Sequence, residues 1–240
     1  METSKVQRFK TKILEIKNIC DDVKHFVIKT NKDFLFKPGQ FISIILNIDG
    51  KEIRRPYSIA SAPYPNSLEL CIKILPNGKA TPTIDELKEG DEIEIIGPMG
   101  RFTLHESSEK KDLILISTGT GITPFRSLAN HLLKKEKESI FKNKITLITG
   151  YRYEENCLYE PEFKKLEKNH SNFSYHGILS RPRDSQPNQE KGHVQLLVEK
   201  HINPNAHYYL CGLTPMIDSV RELLKEKGIK KEQIFFEKYD

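Results

Sequence analysis

No run of about 18 consecutive apolar residues occurs in the 240-residue sequence, which excludes a membrane-spanning helix of ordinary length. No charged and then apolar leader stands behind Met1, so a soluble, cytoplasmic protein is expected. Cysteine is scarce. Cys20, Cys71, Cys157 and Cys211 lie far apart with no Cys-x-x-Cys pair, a spacing that holds no iron–sulfur cluster and predicts reduced thiols. The eight histidines lack a ligand pattern: His201 and His207 are six apart across a Pro-containing turn, and His105 and His131 sit in unrelated segments. No metal site is expected. The net charge is +5, yet lysines alternate with glutamates, as in Lys134-Lys135-Glu136-Lys137-Glu138. Arginines are not interleaved with aromatics as in nucleic-acid binders. Solvated helix faces explain most of this charge, and a basic face that steers an acidic electron carrier is the other reading.

What is present is a change of rhythm. The first hundred residues carry short β-type runs at Thr11–Ile19, His25–Lys29, Gln40–Leu46, Ile53–Ala60, Leu68–Leu75 and Asp91–Ile96, broken by turns such as Lys37-Pro38-Gly39 and Asp49-Gly50. Many short strands with Gly and Pro turns predict a sandwich or barrel. From Asp112 onward, apolar strands at Leu113–Ser117, Ile145–Thr149, Phe173–Ile178, Tyr208–Cys211 and Ile234–Phe236 alternate with helices from Pro124, near Pro161–Lys168 and from Pro215. That pattern predicts a parallel sheet covered by helices. The polar stretch His105–Lys111 cannot pack a core, which places the boundary near Glu106 and predicts two domains, 1–105 and 106–240. The Pro- and Gly-rich insert Ser180–Gly192 has neither helix nor strand period and is expected to be an exposed loop over a ligand.

Two groups of motifs carry chemistry. The first is Arg55-Pro56-Tyr57-Ser58 at the end of a predicted strand. Alternation puts Arg55 and Tyr57 on one face, where a guanidinium can pair with a phosphate and a phenol ring can lie on an aromatic ring system. Ser58 points the other way with a hydroxyl. A half-buried strand tyrosine is more often simply core, so the motif gains weight from three later segments: Leu70-Cys71-Ile72-Lys73, then Gly78-Lys79-Ala80-Thr81 leading into a short helix, then Gly97-Pro98-Met99-Gly100-Arg101-Phe102. A glycine lets backbone N–H groups approach an anion, and a threonine at a helix start adds a hydroxyl there.

The second is Leu113–Ser117 followed by Thr118-Gly119-Thr120-Gly121-Ile122-Thr123-Pro124, which reads as strand, glycine turn and helix. Gly119 and Gly121 permit a sharp turn and close phosphate approach, Thr123 is the expected N-cap, and Pro124 suits the first helical position. It is not the Gly-x-Gly-x-x-Gly fingerprint, so a generic Rossmann dehydrogenase is not indicated.

Taken in order, Arg-Pro-Tyr-Ser, Gly-x-x-Thr, Gly-Pro-x-Gly-x-Phe and Gly-Thr-Gly-Ile-Thr-Pro-Phe-Arg-Ser resemble the ferredoxin–NADP⁺ reductase family, from about residue 8 to the end. The resemblance implies a six-stranded antiparallel β-barrel for flavin followed by an α/β parallel-sheet NAD(P)-binding domain. It implies FAD, in preference to FMN, with Arg55 and Thr81 on the flavin phosphates, Tyr57 stacked on the isoalloxazine, Ser58 near N5, and Pro56, Cys71, Ile72, Lys73 and Gly78 in the same site. Plant-type members place an aromatic residue after the Cys-x-Lys strand to stack on adenine, whereas this chain has Leu75-Pro76-Asn77.

For the second half the resemblance implies that Gly119, Thr120, Gly121, Thr123 and Pro124 hold the dinucleotide and that Tyr151 and Arg152 meet its adenosine end. Tyr209-Leu210-Cys211-Gly212-Leu213-Thr214-Pro215 resembles the family's Cys-Gly-Pro motif with leucine in place of the proline, which puts Cys211 and Gly212 beside the nicotinamide. A buried structural cysteine is the plainer reading. Tyr239 is the aromatic that covers the far face of the flavin, with Asp240 after it; a frayed tail is the alternative. Ser180, Arg181 and Arg183 stand where a 2′-phosphate would lie and favour NADPH over NADH, although Ser-Arg-Pro also resembles NADH-using members.

Hydride transfer to flavin N5 needs nicotinamide C4 within about 3–3.5 Å, with water excluded. The candidate catalytic residues are Ser58, which orients N5, Cys211, which packs against the nicotinamide, and Glu237, which relays a proton. With no cluster cysteines, the one-electron partner is another protein, a ferredoxin or a flavodoxin. The alternatives are a stand-alone NAD(P)H flavin reductase, the reductase component of an oxygenase system and, behind these, a non-enzymatic phosphate- or nucleic-acid-binding protein. No oligomeric state follows from these residues.

Overall fold

The computed structural model describes residues 5–133, 141–184 and 189–239. The Lys134–Glu138 charge run, positions 185–188 of the insert, the N-terminal Met1 and Asp240 lie outside the described residues. The chain divides into two compact units, one of residues 1–103 with 126–131, the other of 104–125 with 132–240.

The first unit is built from period-two strands: β1 (Gln7–Cys20), β2 (Val23–Lys29), β3 (Phe41–Ile48), β4 (Lys51–Ser58), β5 (Ser67–Lys73) and β6 (Glu92–Met99), with a short helix α1 (Thr81–Asp85) before β6. They form one sheet in the order β4-β3-β6-β1-β2-β5, every pairing antiparallel. Irregularities in the β1–β2 register at Ile13/Glu15 and Asn18/Cys20 increase local twist and curl the sheet. An antiparallel bridge from Ile59 to Leu70 carries the chain beyond β4 across to β5, giving a six-stranded half-barrel. Its core is Phe26, Ile28, Ile42, Ile44, Leu68, Leu70, Ile72 and Ile95, each worth about 1.5–3 kcal/mol relative to exposure. The strand count agrees with the sequence expectation, and β1 begins earlier than expected because Gln7–Lys12 pairs with β6. Gly39 has φ +94°, and a Cβ there would lie 3.0 Å from the Phe102 carbonyl carbon, so this turn requires glycine. Within this same unit, Arg126 donates to the Ala60 carbonyl at 3.1 Å and pairs with Glu69, and Ser127 Oγ donates to the Ser61 carbonyl at 2.5 Å.

The second unit runs β7 (Leu113–Thr118), then the ends of α2 (Thr123–Leu132), whose residues 126–131 belong to the first unit, then β8 (Ile145–Tyr151), α3 (Glu160–Asn169), β9 (Phe173–Leu179), β10 (Glu190–Lys191), α4 (Val194–Lys200), β11 (His207–Gly212), α5 (Thr214–Glu226) and β12 (Ile234–Lys238). The sheet order is β10-β9-β8-β7-β11-β12, parallel throughout. Strands covered by helices on both faces read as continuous apolar runs, and Leu113, Ile114, Leu115 and Ile116 of β7 are all buried. One face packs Ile114, Ile116, Ile148, Ile178, Tyr208 and Leu210 against Val194, Leu197, Ile217 and Val220 of α4 and α5.

Two elements depart from the sequence expectation. The insert, expected to hold no strand, contributes β10 as a two-residue edge parallel to β9. Helix α4 follows it unannounced, because seven residues with Val194, Leu197 and Val198 buried give too short a window for a 3.6-residue period to register. Among the described residues no helix is long and apolar enough to cross a membrane. Phe26, 1% exposed at the centre of the half-barrel, is expected on replacement by Ala to lower stability by about 3–5 kcal/mol, read as a shifted urea midpoint.

Candidate functional site

In the half-barrel the site residues cluster at the end of β4. Two adjacent arginines differ in what holds them: Arg54 pairs with Glu52 at 2.8 Å, whereas Arg55 donates to the Arg54 carbonyl at 3.0 Å and has no carboxylate partner among the described residues. A half-exposed guanidinium with spare donors is suited to a phosphate. Tyr57, two residues along, packs its ring against the core. Burial pushes its phenol up to about 12, with the Arg55 charge acting the other way, so the ring is neutral at physiological pH. Ser58 is turned inward and is 6% exposed.

The Gly78 turn is tightly built. Thr81 Oγ1 donates to the Leu75 carbonyl at 2.7 Å and accepts the Leu75 N–H at 3.0 Å, and a Cβ on Gly78 would stand 2.5 Å from that oxygen. The threonine hydroxyl therefore fastens the turn, a role that sequence reasoning did not foresee. Cys71 and Ile72 are buried in the core and Lys73 pairs with Asp22 at 3.0 Å, so the first two offer a ligand only their backbone. Leu75, in the place of the family's adenine-stacking aromatic, is 51% exposed.

In the α/β unit the candidates gather at the C-terminal edge of the parallel sheet, where open α/β sheets bind ligands. Between β7 and α2 the chain makes a 3-10 turn over Gly119–Ile122, entered by Gly119 at φ +53°. A Cβ on Gly119 would meet nothing within 4 Å, whereas one on Gly121 would lie 2.7 Å from the Cys211 carbonyl carbon and 2.9 Å from Gly212 N. The first glycine faces open space and the second is packed against β11. Thr123 is not an N-cap: it is itself helical, and its hydroxyl donates to the Thr120 carbonyl at 2.6 Å. Ser117 Oγ and Thr118 Oγ1, just before the turn, are buried without a hydrogen-bond partner among the described residues. Orphaned hydroxyls of this kind ask for a partner, and a dinucleotide on the turn fits them. Sequence reasoning missed both; the only signal was two hydroxyl residues ending an apolar strand.

Parallel pairing sets Cys211 of β11 opposite Glu237 of β12, and the Tyr239 N–H donates to the Gly212 carbonyl at 2.9 Å. Cys211 is fully buried. Burial pushes its thiol well up, the Glu237 charge adds to this, and a hydrogen bond with Tyr239 opposes it, so the sulfur is a neutral thiol. The structure thus brings together Cys211, Gly212, Glu237 and Tyr239.

At the ends of β8 and β9, Ser180 N–H donates to the Tyr151 carbonyl and Arg181 N–H to the Arg152 carbonyl, each at 2.9 Å. The Tyr151 ring is buried, with its hydroxyl 3.4 Å from the Leu158 carbonyl, while Arg152 and Arg181 are exposed. Arg183 is held, its guanidinium 2.6 Å from Glu155 and 4.2 Å over the Tyr153 ring. Glu154 accepts the Arg183 and Asp184 N–H groups and is kept below the usual carboxylate range by its own backbone N–H and then by these. Sequence reasoning overlooked Tyr153, Glu154 and Glu155. Among the described residues no three His, Cys, Asp or Glu side chains converge as a metal site requires.

A half-barrel with an uncommitted arginine at a strand end, joined in sequence to a parallel sheet with a phosphate-ready glycine turn, is the make-up of a flavin- and nicotinamide-dependent oxidoreductase. Residues 10–104 match the oxidoreductase FAD-binding domain family and residues 115–222 the oxidoreductase NAD-binding domain family. Ferredoxin–NADP reductase B of Sorangium cellulosum is 29% identical over 97% of this chain and 98% of its own length. The propane 2-monooxygenase reductase component of Mycolicibacterium goodii is 30% identical over 98% of this chain and 68% of its own. Among solved structures, ferredoxin–NADP⁺ reductase from Plasmodium falciparum has 25% identity and a TM-score of 0.83 over 97% of this chain and 96% of its own, and it has also been solved with 2′P-AMP. The chain belongs to the ferredoxin–NADP⁺ reductase family, with sites for FAD and a pyridine nucleotide.

Two measurements check the site. Gly121→Ala is expected to displace the turn from β11, lowering stability by about 1–3 kcal/mol and abolishing saturable NAD(P)H binding by calorimetry. Iodoacetamide at pH 8 should leave Cys211 unmodified in the native protein and alkylate it only after denaturation, as peptide mass spectrometry would show.

Proposed function

We propose that this chain oxidises NADPH and passes the electrons singly to a separate protein carrier of the ferredoxin or flavodoxin type, with residues 1–105 holding FAD and 106–240 the dinucleotide. The observation that carries this reading is the meeting of Cys211, Glu237 and Tyr239 at the end of the sheet that also bears the Gly119–Gly121 turn. Bound FAD supplies hydride acceptance and one-electron release.

The chain's own residues do the rest. Arg55 neutralises phosphate charge, the neutral Tyr57 ring offers a flat face, and Ser58 orients the reacting edge. Cys211, held as a thiol by burial, presents a small uncharged surface to the nicotinamide and leaves Glu237 to hold or deliver a proton. The Ser117 and Thr118 hydroxyls and the turn's backbone N–H groups bind the dinucleotide. Arg181, exposed and beside Ser180, is the better candidate for a 2′-phosphate, because Arg183 is engaged by Glu155 and Tyr153. That the Plasmodium relative was solved with 2′P-AMP supports this preference. Four cysteines outside any disulfide suit a reducing, cytoplasmic compartment.

The oxygenase reductase components among the relatives support a second reading, in which the acceptor is an oxygenase system. The exposed Leu75 in place of an aromatic favours a third, a flavin reductase with a weaker adenine site.

Anaerobic addition of NADPH to the purified yellow protein is expected to bleach its visible flavin bands, and more efficiently than NADH does. A colourless protein that reduces added flavin would establish the flavin reductase, and no flavin binding with no NAD(P)H oxidation would sink both. Arg181→Ala should raise KM for NADPH about tenfold or more, with little change for NADH. An unchanged KM for NADPH refutes the assignment.

A further inference from the structure

A buried polar chain lies beneath the start of β11. Ser108, within a 3-10 turn at Glu106–Ser108, is 0% exposed. Its Oγ lies 2.7 Å from His207 Nδ1 and 2.7 Å from the Tyr209 hydroxyl, and that hydroxyl accepts the His105 N–H at 3.0 Å. The tyrosine ring so oriented is one wall of an aromatic cluster around Phe235 of β12, which stacks on Tyr209 at 4.7 Å and His105 at 5.4 Å and contacts His207 at 5.5 Å.

Among the described residues strand β12 is the outer strand of its sheet and pairs with β11 alone. Phe235 lies opposite Tyr209, two residues before the Cys211–Glu237 pair. A one-residue slip of a strand moves every side chain to the opposite face, so the ring that locks Phe235 to Tyr209 also decides whether Glu237 meets Cys211. We propose that Ser108, Tyr209 and His207 form a positioning clamp that, through Phe235, holds Glu237 and Tyr239 at Cys211, and that protonation of His207 loosens it. The proposal rests on the reading of Glu237 and Tyr239 as site residues.

The proton order explains the sensitivity. With His207 Nδ1 bare, Tyr209 donates to Ser108 and Ser108 donates to His207, one direction throughout. An imidazolium would donate from Nδ1 to Ser108, so the Ser108–His207 bond reverses and the serine proton must turn to another acceptor in a buried space. The charged neighbours oppose the change. Lys111 from the segment before β7 and His105 from the turn face His207, with Tyr209 on its own strand and Phe235 from β12; Asp112, whose carbonyl accepts the His207 N–H, is occupied by Asn203 and the Lys144 N–H. Burial, then Lys111 and His105, hold His207 below its ordinary range. The unfolded chain therefore takes up a proton that the folded one refuses as pH falls through about 6.5, and stability present at neutral pH is lost on acidification. His176, lowered by burial and by His201, shifts in the same sense, so a His207 variant must be compared with the parent.

The test uses the full-length, FAD-loaded protein between pH 5.5 and 8, with two readouts: hydrogen exchange of residues 234–238, and the rate of flavin reduction by NADPH in anaerobic stopped flow. In the parent, acidification should raise exchange and slow reduction. His207→Asn, whose Oδ1 replaces Nδ1 as acceptor without titrating, should flatten that change in both readouts. Ser108→Ala should raise exchange at pH 7.5 and slow reduction about tenfold; should it fail to fold, Tyr209→Phe, which keeps the ring and removes only the hydroxyl, is expected to do the same. Unchanged β12 exchange in the folded serine or tyrosine variant, or a parent-like acid response in His207→Asn, overturns the clamp. Raised exchange with an unaltered reduction rate removes Glu237 and Tyr239 from the site and the positioning role with them.

Discussion

The tightest constraint in the α/β unit is the absence of a side chain at residue 121. A Cβ there would enter the space of the Cys211 carbonyl carbon and Gly212 N, at 2.7 and 2.9 Å, so the turn after β7 and the end of β11 pack backbone against backbone. Gly212 repeats the arrangement from the other side, with φ +150° and Thr118 Oγ1 2.6 Å from where its Cβ would be. Because Gly212 also accepts the Tyr239 N–H, one contact ties the glycine turn, the buried thiol and the end of β12 into a single piece. Main-chain geometry holds closer tolerances than flexible side chains do, which suits a reaction that depends on the placement of two ring systems.

Charge follows from that packing. Cys211 is too deeply buried to ionise, so the carboxylate of Glu237 stands beside a neutral sulfur. On the half-barrel, Arg54 pairs with Glu52 while its neighbour Arg55 has no carboxylate partner among the described residues. In the second unit Arg183 is neutralised by Glu155, and Arg181 is not so engaged. In both places two nearby arginines that read alike in sequence are sorted by whether a carboxylate lies within reach.

Much of this was legible beforehand. Period-two alternation with Gly and Pro turns located the antiparallel strands, and continuous apolar runs before helical periods located the parallel ones. The glycine turn was legible as well, because Thr-Gly-Thr-Gly between a strand and a helix has few conformations open to it. Less legible was whatever depends on a partner distant in sequence. The Thr81 hydroxyl looked available to a phosphate but bonds Leu75 on both sides. Thr123 read as an N-cap but is helical and donates to Thr120. Helix α4 was too short for its period to stand out, and β10 is a two-residue edge that exists only because β9 lies alongside. Ser108 and His207, 99 positions apart, share a hydrogen bond that no local pattern announces.

Local rules of backbone freedom and apolar periodicity were therefore enough to establish two β-containing units in order and the glycines and prolines at the turns, since each depends on a residue and its near neighbours, while the family rested on the resemblance of the ordered motifs. Which arginine keeps its charge, why the thiol stays protonated, and how an outer strand is held in register were decided only in the folded chain. Those properties are set by desolvation and by hydrogen bonds between distant segments, and both come into being when the sheets close.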